Sequence, residues 1–439
     1  MARTEPARGM RDFLPEDVRR REYVIGIVKR VYERYGFEPL ETPAVENIDT
    51  LLGKYGEEGN QLIFKILKRG EHEASGQADL ALRYDLTVPL ARVIAHHQSE
   101  LPRLFKRYQI QPVWRADRPA RGRFREFYQC DVDALGSTSP AVEAELCAAV
   151  SDALIELGFN DFKIRLNHRQ LLTSVLNSVS IPPDLHGTAL VALDKLDKIG
   201  VDGVAAEFEQ RGITTAAATL IEKLRGFQEK PVSMSGAFDD AGEQAWRNVA
   251  QIVSLASGTS AATRIELDLS LARGLSYYTG AIMEINVADL AGSLAGGGRY
   301  DNLIGMFLGQ SIPACGFSLG LERILVVMGE RGMFPASLAT TPADVMMAVF
   351  DPGDLDSAMR VAGTLRQAGL RVLTYPEPDK IGKQIKYADS RRIPYVAILG
   401  GDELAAGTVT VKDLAGKTQQ TYPQAEAGAK ILEELKRRG

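Results

Sequence analysis

Residues 114–133 read WRADRPARGRFREFYQCDVD, with five arginines in the eleven positions 115–125 running straight into a polar segment. Positions 103–125 hold Arg or Lys eight times and a carboxylate once, in a chain of formal net charge −5. So dense a cationic field is costly to assemble unless an anion sits in it. Arginine also presents a planar, permanently charged fork that suits phosphate oxygens. After the arginines the pattern changes to period two. Phe127, Gln129, Asp131 and Asp133 then share one face of a strand, and Tyr128, Cys130 and Val132 the other. Phosphate chemistry therefore lies beside a carboxamide and two carboxylates, groups that read a cationic or hydrogen-bonding small molecule.

Helices and strands alternate outward from this stretch. Residues 139–158 are strongly periodic, with Ser139 as the expected cap and Gly158 as the stop. Upstream, Val18, Tyr23, Ile27, Val31 and Tyr35 have the spacing of an amphipathic helix over 16–35. Gly36 ends it, and 37–46 reads as an extended segment broken by Pro39 and Pro43. Residues 81–97 predict a short strand and then a helix, with Pro89 near its start. From about 169 to 262 the chain is Ala- and Leu-rich with few aromatic residues, which predicts a helical insertion. Strand patterns return at 265–287 with a turn at Arg273-Gly274. LAGGGRYDNL (294–303) reads as a plain loop, and 315–328 as a strand, a glycine turn and a helix. Residues 329–343 look like a linker. Beyond it, 344–439 alternates strand and helix, the pattern of a small α/β domain with a largely parallel sheet.

A length of 439 residues suits two or three domains, and 45% apolar with 25% charged residues is an ordinary globular composition. No apolar run approaches the ~20 residues that cross a bilayer, so no membrane partner is expected. The N-terminus lacks the apolar core of a secretory signal. Cys130, Cys147 and Cys315 are scattered and form no C-x-x-C pair, which points to a reducing cytoplasm. The sequence pI of about 5.8 argues against non-specific nucleic-acid coating, yet leaves room for a specific RNA partner bound by a local patch.

No G-x-x-x-x-G-K-[ST] loop, helix-opening G-x-G-x-x-G or H-E-x-x-H occurs. Gly416-Lys417-Thr418 has Val411 where the first glycine of a phosphate loop belongs, so it reads as a hairpin turn. The five histidines lie in no ligand spacing, and no structural metal is expected. A bound nucleotide would be held by arginines.

Four further constellations carry chemistry, three of them beside a plainer reading. Arg115 ends an apolar strand, and Asp117 nearby suits a carboxylate that fixes one arginine; most arginine runs are nonetheless solvated loops. Asp85 and Thr87 share a face if extended and would suit an ammonium group, although Thr87 fits a helix cap better. Arg273 stands at a strand break before Tyr277 and Tyr278, which a regular strand would send to opposite faces. Arg323 lies in the first turns of a helix near Gly320, where cations are disfavoured. With Glu322 beside it, it hints at an anion or is simply a surface arginine.

Together and in order, these segments resemble the class II aminoacyl-tRNA synthetases, and closely their histidyl branch. YGFEPLETPAVE is similar to motif 1, with Pro43 as its proline, WRADRPARGRFREFYQCDVD to motif 2 and GFSLGLER to motif 3. ARGLSYY and GGGRYDNL resemble the two histidine-specific signatures, and ARGMRDFLP the family's opening. Ser276, Asp85 and Asp117 depart from the residues common at their positions. The resemblance implies an α+β catalytic domain over 1–328, built on an antiparallel sheet with helices and interrupted by the insertion, and an anticodon-binding α/β domain over 344–439. It implies a histidine–tRNA ligase that works as a cytoplasmic homodimer, with L-histidine, ATP carrying Mg²⁺, and tRNA(His) as partners. By position, Asp85, Leu86, Thr87 and Gln129 would hold the ammonium and carboxylate end of histidine. Asp133 with Tyr278 would read the imidazole, and Tyr277 would line the pocket. Arg115 and Arg323 would clamp the ATP phosphates, with Asp117, Arg123 and Phe124 on the nucleotide and Phe124 stacked on adenine. Arg273 would stabilise the α-phosphate. The insertion is expected to have no editing role, because a pocket that hydrogen-bonds an imidazole already rejects apolar analogues. A catalytically silent histidine sensor, like the regulatory subunit of ATP phosphoribosyltransferase, is the competing reading. Such sensors generally lack the C-terminal domain.

Overall fold

The computed structural model describes residues 4–70, 75–213, 219–223, 226, 238–272, 277–335, 338 and 341–438. It divides into two compact units, Met1–Phe334 and Pro335–Gly439.

The larger unit is built on an eight-stranded sheet. Its strands are β1 (Glu38–Pro39), β5 (Phe105–Trp114), β6 (Glu126–Leu135), β7 (Lys163–His168), β8 (Ile265–Leu267), β9 (Ala281–Asn286), β10 (Ala295–Arg299) and β11 (Ala314–Gly320). Their order is β1-β5-β6-β11-β10-β9-β7-β8. The outer pairs β1–β5 and β7–β8 run parallel, and every interior pair is antiparallel. The strands β2 (Val45–Asn47), β3 (Lys65–Leu67) and β4 (Ala78–Leu82) form a separate small antiparallel sheet.

One face of the large sheet is apolar. Cys130 and Val132 of β6 point there, where they join Val24, Val28 and Val31 of the helix Pro15–Arg34 and Leu146, Val150 and Leu154 of the helix Ala141–Glu156. Both helices present apolar residues three and four positions apart and so form stripes that cover the sheet. The three cysteines lie free and buried in this region. Period two sends Gln129, Asp131 and Asp133 to the opposite face. That face carries the site.

Several expectations need correction. Residues 295–299 are not a plain loop but a central strand: β10 pairs with β9 on one side and β11 on the other. The helix expected to begin at Ser139 starts at Ala141 behind Pro140, and the Ser139 hydroxyl accepts only the Ala141 amide, at 3.3 Å. Gly158 does end it, at φ +91°. The expected linker starts too early, because the helix Leu321–Glu330 covers its first residues and Met333 and Phe334 pack on the core. Around the insertion, the described residues include the helices Arg169–Ser178, His186–Leu193, Leu196–Gln210 and Asp240–Ala256. The turn expected at Arg273-Gly274 lies outside the described residues.

The smaller unit has a five-stranded sheet made of β12 (Val345–Ala348), β13 (Val372–Thr374), β14 (Tyr395–Ile398), β15 (Thr408–Asp413) and β16 (Thr418–Pro423), ordered β13-β12-β14-β15-β16. Only half of it is parallel. β12 pairs parallel with β13 and β14, and β14–β15–β16 are antiparallel. Residues 414–417 turn the chain between β15 and β16 as a hairpin, with Lys417 left-handed at φ +54°.

Candidate active site

The register of three neighbouring strands decides what meets what. β5 sets Arg107 opposite Asp133, Gln109 opposite Asp131 and Gln111 opposite Gln129. On the other side β11 sets Gly316 opposite Asp133, Ser318 opposite Asp131 and Gly320 opposite Gln129. Asp133 needs the space that Gly316 leaves, since a Cβ there would stand 1.9 Å from Asp133 Oδ1.

Asp133 is buried between two partners that the sequence reading did not single out. The Tyr300 hydroxyl, just after β10, donates to Asp133 Oδ1 at 2.5 Å, and Arg107 Nη2 lies 2.9 Å from Asp133 Oδ2. Burial pushes the Asp133 pKa up, against the Arg107 charge and the Tyr300 hydrogen bond. Burial also pushes Asp131 up; there Arg107 opposes the shift and Asp133 adds to it. Gln129 donates through Nε2 to Ser318 Oγ at 2.9 Å and, more weakly, to Asp131 Oδ1 at 3.3 Å. Its Oε1 is buried and meets no donor among the described residues. A buried carbonyl without a donor is costly, so it suits a ligand N–H.

Asp85 occupies the next corner. It accepts from the Tyr55 hydroxyl at 2.9 Å, the Tyr277 hydroxyl at 3.1 Å and the Val88 amide at 3.0 Å. The carboxylate, and not Thr87, thus caps the helix Thr87–His96, for which Leu86 is the N-cap residue and makes no side-chain capping bond. Since Thr87 is already helical, it does not share an extended face with Asp85 as expected. Burial raises the Asp85 pKa, opposed by the Val88 amide and the Arg115 charge.

Tyr277 and Tyr278 precede β9, so strand alternation does not separate them. Their rings stand edge to face at 5.2 Å. Tyr277 reaches Asp85, while Tyr278 packs over Gly298, whose Cβ would come within 3.0 Å of the ring. The glycine triplet in β10 therefore makes room for a strand neighbour and an aromatic side chain at once.

The arginines divide by task. Arg115 donates from Nε to the Tyr84 carbonyl at 3.0 Å and lies over the rings of Tyr84 at 4.3 Å and Phe127 at 5.2 Å. Arg123 pairs with Asp117 at 2.7 Å, and Arg125 donates to the Asp117 carbonyl at 3.1 Å. Arg121 is tied to Glu330 and to the Asp289 carbonyl. Arg323 donates to the Ser293 carbonyl and packs against Gly122, which joins the arginine loop to the helix Leu321–Glu330. Glu322 beside it does not face an anion site. It is buried, pairs with Arg21 at 2.8 Å and accepts the Tyr128 amide at 2.9 Å, so it staples that helix to β6. Phe124 has the Arg11 guanidinium 3.3 Å over its ring, whereas Phe127 shares its strand face with Gln129. Arg273 lies outside the described residues.

A sheet face with buried carboxylates, an unpaired amide oxygen and flanking arginines suits a cationic small molecule beside phosphates. Comparison with known proteins agrees. The profile of histidyl-tRNA synthetases matches residues 9–324, and that of an anticodon binding domain matches 344–434. The chain belongs to the histidyl-tRNA synthetase family. A histidine–tRNA ligase of Gloeobacter violaceus is 42% identical over 98% of both chains, and that of Porphyromonas gingivalis is 41% identical over 95% of this chain and 96% of its own. The crystal structure of histidyl-tRNA synthetase from a Nostoc species superposes with a TM-score of 0.81 at 31% identity, covering 99% of this chain and 100% of that one. Members of this family are ATP-dependent aminoacyl-tRNA ligases.

Proposed function

We propose that the chain joins L-histidine to ATP as histidyl-adenylate with release of pyrophosphate, and then transfers the histidyl group to a hydroxyl at the 3′ end of tRNA(His) with release of AMP. The observation that carries the amino-acid half is the set of Gln129 and Asp133 on one sheet face with Asp85 in the turn before the helix Thr87–His96. Asp85 and the free Gln129 Oε1 accept from the α-ammonium group, with Leu86 and Thr87 completing that wall and Tyr277 fixing Asp85. Asp133 accepts from an imidazole N–H, and Tyr278 closes the other side of the ring.

Arg115 and Arg323 are assigned to the ATP phosphates, with Arg123 and Asp117 as a paired wall of the nucleotide site. The adenine is assigned to Phe127 in preference to Phe124, because Phe127 shares the face of Gln129 and lies under Arg115. Mg²⁺ arrives with the ATP and neutralises phosphate charge. In the first step a histidine carboxylate oxygen attacks the α-phosphorus and the bond to pyrophosphate breaks. The nucleophile is already ionised and needs no base. Fixed guanidiniums stabilise charge as it builds, and alignment of the reactants supplies the rest. Arg273 is assigned to the α-phosphate by its place in the family signature. A second copy of the chain is assigned to the small sheet, where Val45, Leu67 and Leu80 are exposed apolar residues.

The 344–434 match supports a tRNA ligase over a histidine sensor. The test is ATP–pyrophosphate exchange against all twenty amino acids. Histidine alone should support it, and exchange should collapse by orders of magnitude in Arg115→Ala and Arg273→Ala. Histidine binding without exchange would overturn the reading.

A further inference from the structure

Arg107 is fully buried in β5, on the face that carries the site. Its guanidinium reaches three groups: Nη2 lies 2.9 Å from Asp133 Oδ2, Nη2 donates to the Leu86 carbonyl at 3.2 Å, and Nη1 donates to Gln109 Oε1 at 3.1 Å. Asp133 belongs to the wall assigned to the imidazole, and Leu86 to the turn assigned to the α-ammonium. One guanidinium therefore touches both ends of the pocket. Gln109 continues the chain of contacts through Nε2 to Gln111 Oε1 at 2.7 Å and Thr42 Oγ1 at 2.9 Å.

We propose that Arg107 is a positioning residue for histidine recognition: it spans the Asp133 wall and the Leu86 turn and fixes the distance between them. The role rests on the reading of this face as the histidine pocket. It has two parts. The charge of Arg107 favours the ionised form of Asp133 in a place where burial and the neighbouring Asp85 disfavour it. Its planar guanidinium, anchored through Nη1 on Gln109, places Nη2 between the Leu86 carbonyl and the Asp133 carboxylate, an arrangement that a flexible point charge does not reproduce. The Arg107 contact also leaves Asp133 an acceptor for a ligand, since the buried Oδ2 receives no aligned hydrogen bond among the described residues. A carboxyl group held in place with an open acceptor oxygen discriminates a ring N–H from a ring C–H.

The experiment compares histidine and ATP in the exchange reaction. In Arg107→Lys, which keeps the charge and loses the fork, the KM for histidine should rise by about tenfold or more, with the KM for ATP within about twofold. Arg107→Gln alone takes from Asp131 and Asp133 the cation that they share, so it tests folding as much as recognition. The double variant Arg107→Gln with Asp131→Asn also removes the second buried carboxylate that Arg107 faces. It should fold and still show a raised histidine KM. A wild-type histidine KM in both folded variants overturns the proposal, as does an equal rise for histidine and ATP, which would mark a merely structural role. If the wild-type protein shows no histidine-dependent exchange at all, the functional reading itself fails, a result distinct from either of these.

Discussion

Arg299 of β10 meets Glu143 of the helix Ala141–Glu156 fork to fork, with Nε on Oε1 at 2.6 Å and Nη2 on Oε2 at 2.9 Å, both side chains buried. The pair ties the strand that leads into Tyr300 to a helix on the far face of the sheet. Glu143→Ala removes the bidentate partner and leaves the buried Arg299 with Asp301 Oδ1 at 3.2 Å and the Ser137 carbonyl at 3.0 Å. The loss should therefore lie near the lower end of that for a broken buried pair, about 2–3 kcal/mol of stability. Urea unfolding of the full chain measures this. A loss below about 1 kcal/mol would mean that water reaches Arg299.

This pair also shows where the sequence stops being readable. The face of Gln129, Asp131 and Asp133 follows from strict alternation, because a strand buried on one side cannot slip by one residue. The glycine triplet before Arg299 has no side chains to alternate, so nothing local distinguishes a central strand from a loop. Arg107 is illegible in the sequence for a different reason. A cation amid polar residues reads as solvated, and only the register with Asp133 shows that it is buried. Tyr300 and Tyr55 were likewise hidden by distance along the chain, since each meets a carboxylate 30 or more positions away.

The contact between Gly316 and Asp133 predicts a selective defect. Gly316→Ala would place a Cβ 1.9 Å from Asp133 Oδ1, so the carboxylate must move. The KM for histidine should rise by about tenfold or more, in proportion to the lost hydrogen bond, with little change for ATP. Steady-state exchange kinetics read both. An unchanged histidine KM would show that Asp133 does not touch the substrate.

His168 gives a pH dependence with a defined sign. Its Nδ1 accepts the Gln170 amide at 3.1 Å and caps the helix Arg169–Ser178, so the ring must be neutral there and carry its proton on Nε2. Burial, with the Arg299 charge, lowers its pKa from 6.5 to about 4. Between those values the unfolded chain binds a proton that the native chain does not. The contribution of His168 is thus complete above about 6.5 and is lost as pH falls to about 4. His168→Asn keeps a cap and does not titrate. Thermal unfolding from pH 7 to pH 4 should decline less steeply in the variant than in the wild type. Parallel curves would exclude His168 as the source.

The last prediction concerns the smaller unit. Lys383 and Lys386 are exposed on the helix Ile381–Ser390, three positions apart and hence on one side. Lys383 pairs with Asp379 at 3.0 Å, an exposed contact that competes only weakly with a phosphate. If the pair meets the tRNA backbone, reversing both to Glu removes two phosphate contacts. The slope of log K against log salt should then fall by about 0.7 for each contact to single-stranded RNA. Histidine-dependent exchange, which needs no tRNA, should stay at the wild-type rate. Filter binding across a salt series separates the outcomes. Weaker binding with an unchanged slope would mean that the helix acts through shape and not through charge, and an unchanged affinity would place the anticodon contacts on another surface of the unit.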